Sequence, residues 1–416
     1  MAKLMIQGGN ALSGETMIPA AKNSILPILA ACLLAEKPVV IENCPDYLDA
    51  RNMVSILSML GCKTQQEGRR LTVDAHSASK WEMPETLAKE LRSSIFMLGP
   101  VVGRFKKAKF TYPGGCEIGQ RPIDMHLKGL RELNVEIIEE HGYIYCRGDN
   151  LKGADVHLDY PSVGATENVM MAAVLAKGQT IIHNAAREPE IKDLQDFLNA
   201  IGANICGAGS STIRIVGVRS LGGAVYSIIP DRIVAGTVMV AAAITGGDIY
   251  MRNVRQEHIQ AITSKLGDCG CEIYFEKDAA RVIGPRRPRE IQLLETLPYP
   301  GFPTDMQAQM FALCTVADGT SVVVENVFDN RFKHAVELCK MGAKVTVKDR
   351  MAIIRGVETL AGADVAARDL RGGAALVLAG LRARGLTVVN NAEIIGRGYE
   401  DLAAMLGALG ADIIRA

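Results

Sequence analysis

Apolar and small residues in this chain gather in two kinds of run. SILPILAACLLA, AGTVMVAAAIT and AALVLAGLRA are apolar almost all round, which predicts helices enclosed on every side. Short alternating runs such as QTIIHNA and STIRIVG predict strands between them. If the helices are enclosed in a soluble protein, the sheets must lie outside them. A phrase in which a helix ends in a small turn and opens a strand recurs as LGCKT, LNVEI, IGANI, CGCEI, MGAKV and LGADI. Its turn residues are Gly61, Asn134, Gly202, Gly270, Gly342 and Gly410, separated by 73, 68, 68, 72 and 68 residues by subtraction. Gly or Asn at that point suits a left-handed helix C-cap.

Each period reads as an apolar helix, a β-rich stretch, a loop, a second helix, the turn, then one or two strands. ATENVMMAAVLA, QTIIHNA, EIKDLQDFLNAIG, ANICGAG and STIRIVG show the order in the third period. The predicted fold class is α/β: two inside-out barrel domains, each of three repeated units with buried helices and external sheets. The expected boundary falls near Ile229 and Pro230, giving 22–229 as one domain and 1–21 with 230–416 as the other, with the site in the cleft between them. A solenoid of six stacked units serving as a binding surface is the competing architecture.

Composition removes other classes. The chain has 416 residues, 48% of them hydrophobic, and 46 basic residues balance 46 acidic ones. No global field draws it to nucleic acid or to an anionic membrane, so an anionic ligand needs a local cluster. The start of the chain lacks the apolar core of an export signal, and the apolar runs are short, so neither export nor membrane insertion is expected. Ten cysteines without an export signal point to the reducing cytoplasm. No C-x-x-C pair or histidine spacing suggests a metal.

Equivalent units place equivalent loops together. At the starts of the first helices stand Lys22 with Asn23, Arg92, Ser162, Asp231 with Arg232, Asp305, and Asp369 with Arg371. Near the starts of the second helices stand Asp49 with Arg51, Cys116 with Arg121, Arg187, Arg255, Arg331 and Arg397. Helix N-termini present unpaired N–H groups and a positive dipole end, so with added cations they suit anions. Taken singly, the same residues read as helix caps and solvated charges. One loop stands apart: PGGCEIGQRP, residues 113–122, joins a strand to a helix with three glycines and one thiol. It reads as a lid, with Arg121 five residues from Cys116 and able to favour its thiolate.

At PGGCEIGQRPIDMHLKG the chain resembles the UDP-N-acetylglucosamine enolpyruvyl transferases. The resemblance continues through PAAKNSILPILAA, LRSSIFMLGP, PSVGATEN, IIPDRI, YPGFPTDMQAQ, NVFDNRF, ARDLRGGAAL and IIGRGYEDL, covering essentially the whole chain. It implies a cytoplasmic transferase of cell-wall precursor synthesis that uses phosphoenolpyruvate and UDP-N-acetylglucosamine, without cofactor or metal, and that is a target of fosfomycin. Oligomeric state stays open.

The resemblance implies that Lys22, Arg121 and Arg397 grip phosphoenolpyruvate, with Arg331 and Arg371 nearby, and that Asn23, Arg92, Arg121, Pro122, Ile123, Asp124, Ser162, Val163, Asp305 and Val327 line the UDP-sugar site. It gives Asp305 the sugar 3′-hydroxyl and its proton, Cys116 proton delivery to C3 or a phospholactoyl adduct, and Asp369 a supporting place at the reacting centre. Asp305 also reads as a simple N-cap for MQAQMFALC, and near a helix start it is expected to be ionised, hence a weak base that orients more than it abstracts. Lys22 and Arg397 sit on loops, so replacing them is expected to leave the fold intact.

Three positions depart from the family pattern: Glu117 follows the cysteine where a small residue is commoner, Tyr160 and Pro161 precede Ser162, and Val234 stands where Glu is frequent. A carboxylate beside Cys116 opposes its thiolate and favours proton donation over nucleophilic attack. The alternatives are a 3-phosphoshikimate enolpyruvyl transferase, which lacks the cysteine loop, and an idle UDP-sugar-binding paralogue acting as a regulator.

Overall fold

The computed structural model describes residues 2–83, 85–86, 92–112 and 123–416. The chain divides into two compact units, one formed by the segment up to Pro19 together with Pro230–Ala416, the other within Ala20–Ile229. Each unit has its own hydrophobic core.

Helices alternate between inner and outer positions. The inner ones are α1 (Lys22–Cys32), α3 (Leu98–Phe105), α5 (Val163–Ala173), α7 (Arg232–Thr245), α9 (Gln307–Cys314) and α11 (Leu370–Arg382). The outer ones are α2 (Leu48–Met59), α4 (Asp124–Glu132), α6 (Pro189–Ala200), α8 (Gln256–Asp268), α10 (Lys333–Lys340) and α12 (Leu402–Ala408). Every residue of α7 is buried, as an apolar surface with no polar face requires, and so is every residue of α9, Gln307 and Gln309 included. In the unit that holds them, α7, α9 and α11 pack on one another pairwise. Among the outer helices, α8 buries Ile259, Ile262 and Leu266, a single face at helical spacing.

Three sheets cover each core. Five have four strands and one has three among the described residues. In the third repeat, 179–183 pairs antiparallel with 212–216, which continues to 204–206, while 155–157 lies parallel on the other edge. The three-stranded sheet, 107–111 with 143–147 and 136–140, keeps the parallel edge only as a bridge between Glu82 and Lys109. The sixth repeat lacks its own last strand, and Leu4–Gln7 supplies it by inserting between 386–390 and 412–415. Residues 13–17 add the parallel edge to 248–252.

All six turn residues anticipated from the sequence have positive φ: Gly61 101°, Asn134 66°, Gly202 108°, Gly270 95°, Gly342 91° and Gly410 97°. A side chain there strains the backbone, which is why Gly and Asn recur. A methyl added at Gly342 meets no atom within 4 Å, so its cost is conformational alone. Gly342→Ala is expected to lower stability by about 1 kcal/mol in chemical denaturation, and an unchanged midpoint would remove the left-handed turn as the reason for glycine.

Candidate active site

The site builds outward from the starts of the inner helices. In the unit with the chain's second half, a 3-10 turn at Thr304–Met306 precedes α9 and carries Asp305. Its carboxylate does not cap α9. Instead Arg331 donates Nη2–H to one oxygen at 2.8 Å, and Arg371 donates to the other at 3.0 Å. The two guanidinium side chains are 2% and 3% exposed, against 24% for Asp305. The N-cap reading of Asp305 therefore gives way to an ion triad, because two buried cations need a counter-charge more than the helix needs a cap.

The cations retain unused capacity. Arg331 Nε and Arg371 Nε and Nη1 are buried without a hydrogen-bond partner among the described residues. Burial works against the charge on Arg371, but Asp305, Tyr399 and Asp231 outweigh it and hold the guanidinium above its ordinary pKa. Orphaned buried donors on permanently charged groups suit a bidentate anion.

Neighbouring residues fix this triad. Asp369 caps α11 by accepting from the N–H groups of Arg371 (3.0 Å) and Gly372 (2.9 Å), which sets the first turn carrying Arg371. Glu325, fully buried, accepts from the Val327 and Phe328 N–H groups at 2.9 and 3.0 Å and from the Thr304 hydroxyl at 2.9 Å, joining the Val327 loop to the turn of Asp305. Beneath lies a polar cluster: Gln309 donates to the Asp305 carbonyl (3.0 Å), the Thr237 hydroxyl (3.2 Å) and the Tyr399 hydroxyl (3.3 Å). The Arg371 guanidinium lies 5.5 Å from the centroid of the Tyr399 ring. His334 is buried edge-on to Phe311; burial and Arg331 push its pKa down to about 4 against the pull of Asp369, so it is neutral at neutral pH. Arg397 ends the 3-10 helix Ala392–Arg397, half-buried.

The other unit, by itself, carries sequence-predicted site residues at equivalent helix starts. Lys22 opens α1 and pairs with buried Asp49 at 3.0 Å. Asn23 follows it, and Arg92 opens the 3-10 turn before α3; both are half-buried. Ser162 caps α5 by accepting from the Ala165 N–H at 3.3 Å, and Val163 begins that helix. Ile123 is buried and Asp124, exposed, begins α4. Cys116, Glu117, Arg121 and Pro122 lie outside the described residues.

Sequence periodicity passes over the polar residues inside the apolar helix α5. Asn168 Oδ1 accepts from the Gly99 N–H at 2.6 Å, and its Nδ2 donates to the Ile95 carbonyl at 3.0 Å and contacts His126 Nδ1 at 2.8 Å. It thereby fixes the segment after Arg92 to α4 and α5. Burial first, then Arg92, lowers the His126 pKa to about 3, so it accepts as a neutral ring. Beside Asn168, Glu167 is fully buried with both carboxylate oxygens unpartnered among the described residues. Its signal is plain, Glu and Asn in mid-helix among Val, Met and Ala, but periodicity alone gives such residues no role.

Comparison with known proteins agrees with this architecture. The family model described as EPSP synthase (3-phosphoshikimate 1-carboxyvinyltransferase) matches residues 6–406. The enolpyruvyl transferase NikO from Streptomyces tendae superposes with a TM-score of 0.89 at 26% identity, over 100% of this chain and 99% of that one. EPSP synthase from Acinetobacter baumannii superposes with a TM-score of 0.77 at 20% identity over the full length of both, a likeness of fold. The fold is thus that of the enolpyruvyl transferases. Full-length relatives narrow the class. The chain is 52% identical to UDP-N-acetylglucosamine 1-carboxyvinyltransferase 2 of Caldanaerobacter subterraneus subsp. tengcongensis, over 100% of each, and 51% identical to UDP-N-acetylglucosamine 1-carboxyvinyltransferase 1 of Carboxydothermus hydrogenoformans, over 100% of this chain and 98% of that one. This chain belongs to the UDP-N-acetylglucosamine 1-carboxyvinyltransferase family.

Glu167 supplies a test of the buried polar layer. Burial first, then Glu190 and Glu188, raise its pKa well above the ordinary value, so the folded unit holds a proton that the unfolded chain releases. Its stability contribution is complete below about pH 4.3 and declines as pH rises from there toward the raised folded value. Glu167→Gln is expected to remove this slope, its stability relative to wild type growing by up to about 1.4 kcal/mol per pH unit within the window. Denaturation across a pH series checks it, and a pH-independent difference would mean that Glu167 is not protonated in the fold.

Proposed function

We propose that this chain transfers the enolpyruvyl group of phosphoenolpyruvate to the 3′-hydroxyl of UDP-N-acetylglucosamine, with release of phosphate. The observation that carries the reading is the Asp305 carboxylate bridged by Arg331 and Arg371, whose remaining buried donors lack partners among the described residues. The names of relatives at about half identity over full length support the UDP-sugar as acceptor. The description of the broader family model names a shikimate enzyme, and the Acinetobacter neighbour at 20% identity bears on fold alone.

Addition followed by elimination through a tetrahedral ketal makes four demands: a group that takes the hydroxyl proton, an acid for the methylene carbon, a base that takes a proton back from the resulting methyl as the double bond re-forms, and cations for the leaving phosphate. In the proposal Asp305 accepts the sugar hydroxyl, its oxygens oriented by the two guanidinium groups. Cys116 supplies the proton to C3. Lys22, Arg121 and Arg397 hold phosphoenolpyruvate, with Arg331 and Arg371 beside it, while Asp369 steadies Arg371 through the start of α11. Asn23, Arg92, Ile123, Asp124, Ser162, Val163 and Val327, with Arg121, Pro122 and Asp305, receive the UDP-sugar. The reading places the reaction in the cytoplasm, a reducing compartment in which ten cysteines stay as thiols.

The test is phosphate release from phosphoenolpyruvate in the presence of UDP-N-acetylglucosamine, with shikimate-3-phosphate as control acceptor. Release with the UDP-sugar alone is expected; release only with shikimate-3-phosphate, or with neither, contradicts the proposal. Arg397→Ala is expected to lower kcat/KM for phosphoenolpyruvate about 10- to 100-fold through a lost charge-assisted contact. Lys22→Ala is expected to lower both activity and stability, since Lys22 neutralises buried Asp49. On that ground the proposal departs from the expectation that replacing Lys22 spares the fold.

A further inference from the structure

The unit containing the second half of the chain also carries a cavity of about 500 Å³, lined by Arg286, Arg287, Arg382 and Arg384 and by one carboxylate, Glu358. It adjoins the C-terminal ends of α7 and α11, at Thr245 and Leu381. Asp369 and Arg371 belong to the opposite end of α11. Thirteen residues of helix place the cavity roughly 18 Å from them along its axis. Helix C-termini carry unsatisfied carbonyls and a negative dipole end, so arginines there ordinarily serve as caps.

Little of that work falls to these four. The carbonyl of Leu381 is taken by the Gly9 N–H at 2.9 Å, that of Ala379 by Ala383 N–H at 3.0 Å, that of Ala242 by Gly247 N–H at 2.9 Å, and that of Thr315 by Val357 N–H at 2.8 Å. Arg287 alone caps at ordinary distance, donating to the Ala317 carbonyl at 3.2 Å, and it pairs with Asp318 at 3.0 Å. Arg382 makes one contact at 3.5 Å to the Arg286 carbonyl. Arg286 and Arg384 form no side-chain hydrogen bond or ion pair among the described residues. Setting Arg287 against Asp318 and one further arginine against Glu358 leaves two positive charges uncompensated on the wall of one concavity. By contrast, in the other unit Arg104 spends its donors on the Leu33, Ala35 and Ala75 carbonyls.

We infer that this cavity is a second anion site, which takes a compact polyanion bearing at least two negative charges, of the diphosphate class. The guanidinium groups of Arg286, Arg382 and Arg384 would receive it, because planar forks match phosphate oxygens and their mutual repulsion falls when a dianion sits among them. The half-buried Thr359 hydroxyl, also on the lining, is available to the same ligand. None of these residues belongs to the proposed catalytic set.

The test is isothermal titration of the full chain with inorganic pyrophosphate at low salt, comparing wild type with the double variant Arg286→Ala and Arg384→Ala. Pyrophosphate bound at the Asp305 triad is common to both proteins, so the difference reports the cavity. The double variant is expected to lose one binding event or to bind at least about 10-fold more weakly, and the wild-type event is expected to weaken as salt is raised. Equal isotherms, or no binding by wild type, would overturn the inference. A double variant that fails to fold would overturn it too, by showing these arginines to be structural.

Discussion

The site half of the second unit depends on one constraint: Arg331 and Arg371 are buried almost completely and remain charged, so a carboxylate has to stand between them. Asp305 meets that requirement with one oxygen toward each guanidinium. Removing one partner from such an arrangement leaves an uncompensated buried charge, at a typical cost of about 3 to 5 kcal/mol. The surroundings follow from this need. Asp369 fixes the turn that carries Arg371, Glu325 fixes the turn that carries Asp305, and Gln309 ties the Asp305 backbone to the Thr237 and Tyr399 hydroxyls.

The fold provides the place for such a triad. Apolar inner helices must be enclosed, three to a unit, and their starts bring unpaired N–H groups to the ends where polar loops gather. Asp231 and Asp369 close two of those starts in the second unit and Ser162 closes one in the first. Positive dipole ends, with lysine and arginine from neighbouring loops, make these ends suited to anions. The opposite ends carry the reverse problem, exposed carbonyls, which backbone N–H groups and Arg104 or Arg287 resolve.

Much of this was legible in the sequence because it follows from local rules. The six turns at Gly61, Asn134, Gly202, Gly270, Gly342 and Gly410 required a left-handed backbone, and each has one. The burial of α1, α7 and α11 followed from their lack of a polar face. What escaped was long-range. Nothing local in LMIQ says that Leu4–Gln7 completes the sixth sheet beside 412–415. The carboxylate of Asp305 looked like a cap because its real partners lie 26 and 66 residues away. Asn168 and Glu167 are polar breaks in an apolar helix to which periodicity gives no role, and only three-dimensional neighbours separate a satisfied bracket from a buried proton. Arg286 and Arg384 carry no sequence signal beyond their charge, since the cavity joins segments almost a hundred residues apart.

Asp305 does two things in this account: it neutralises buried cations and receives the substrate hydroxyl. Asp305→Asn keeps the shape while removing the charge and one of the two acceptors, its amide nitrogen being unable to accept from a guanidinium group. The most direct measurement is single-turnover phosphate release by this variant with saturating phosphoenolpyruvate and UDP-N-acetylglucosamine. The account predicts a fall of at least about 100-fold relative to wild type, whereas release at a rate near wild type would contradict it.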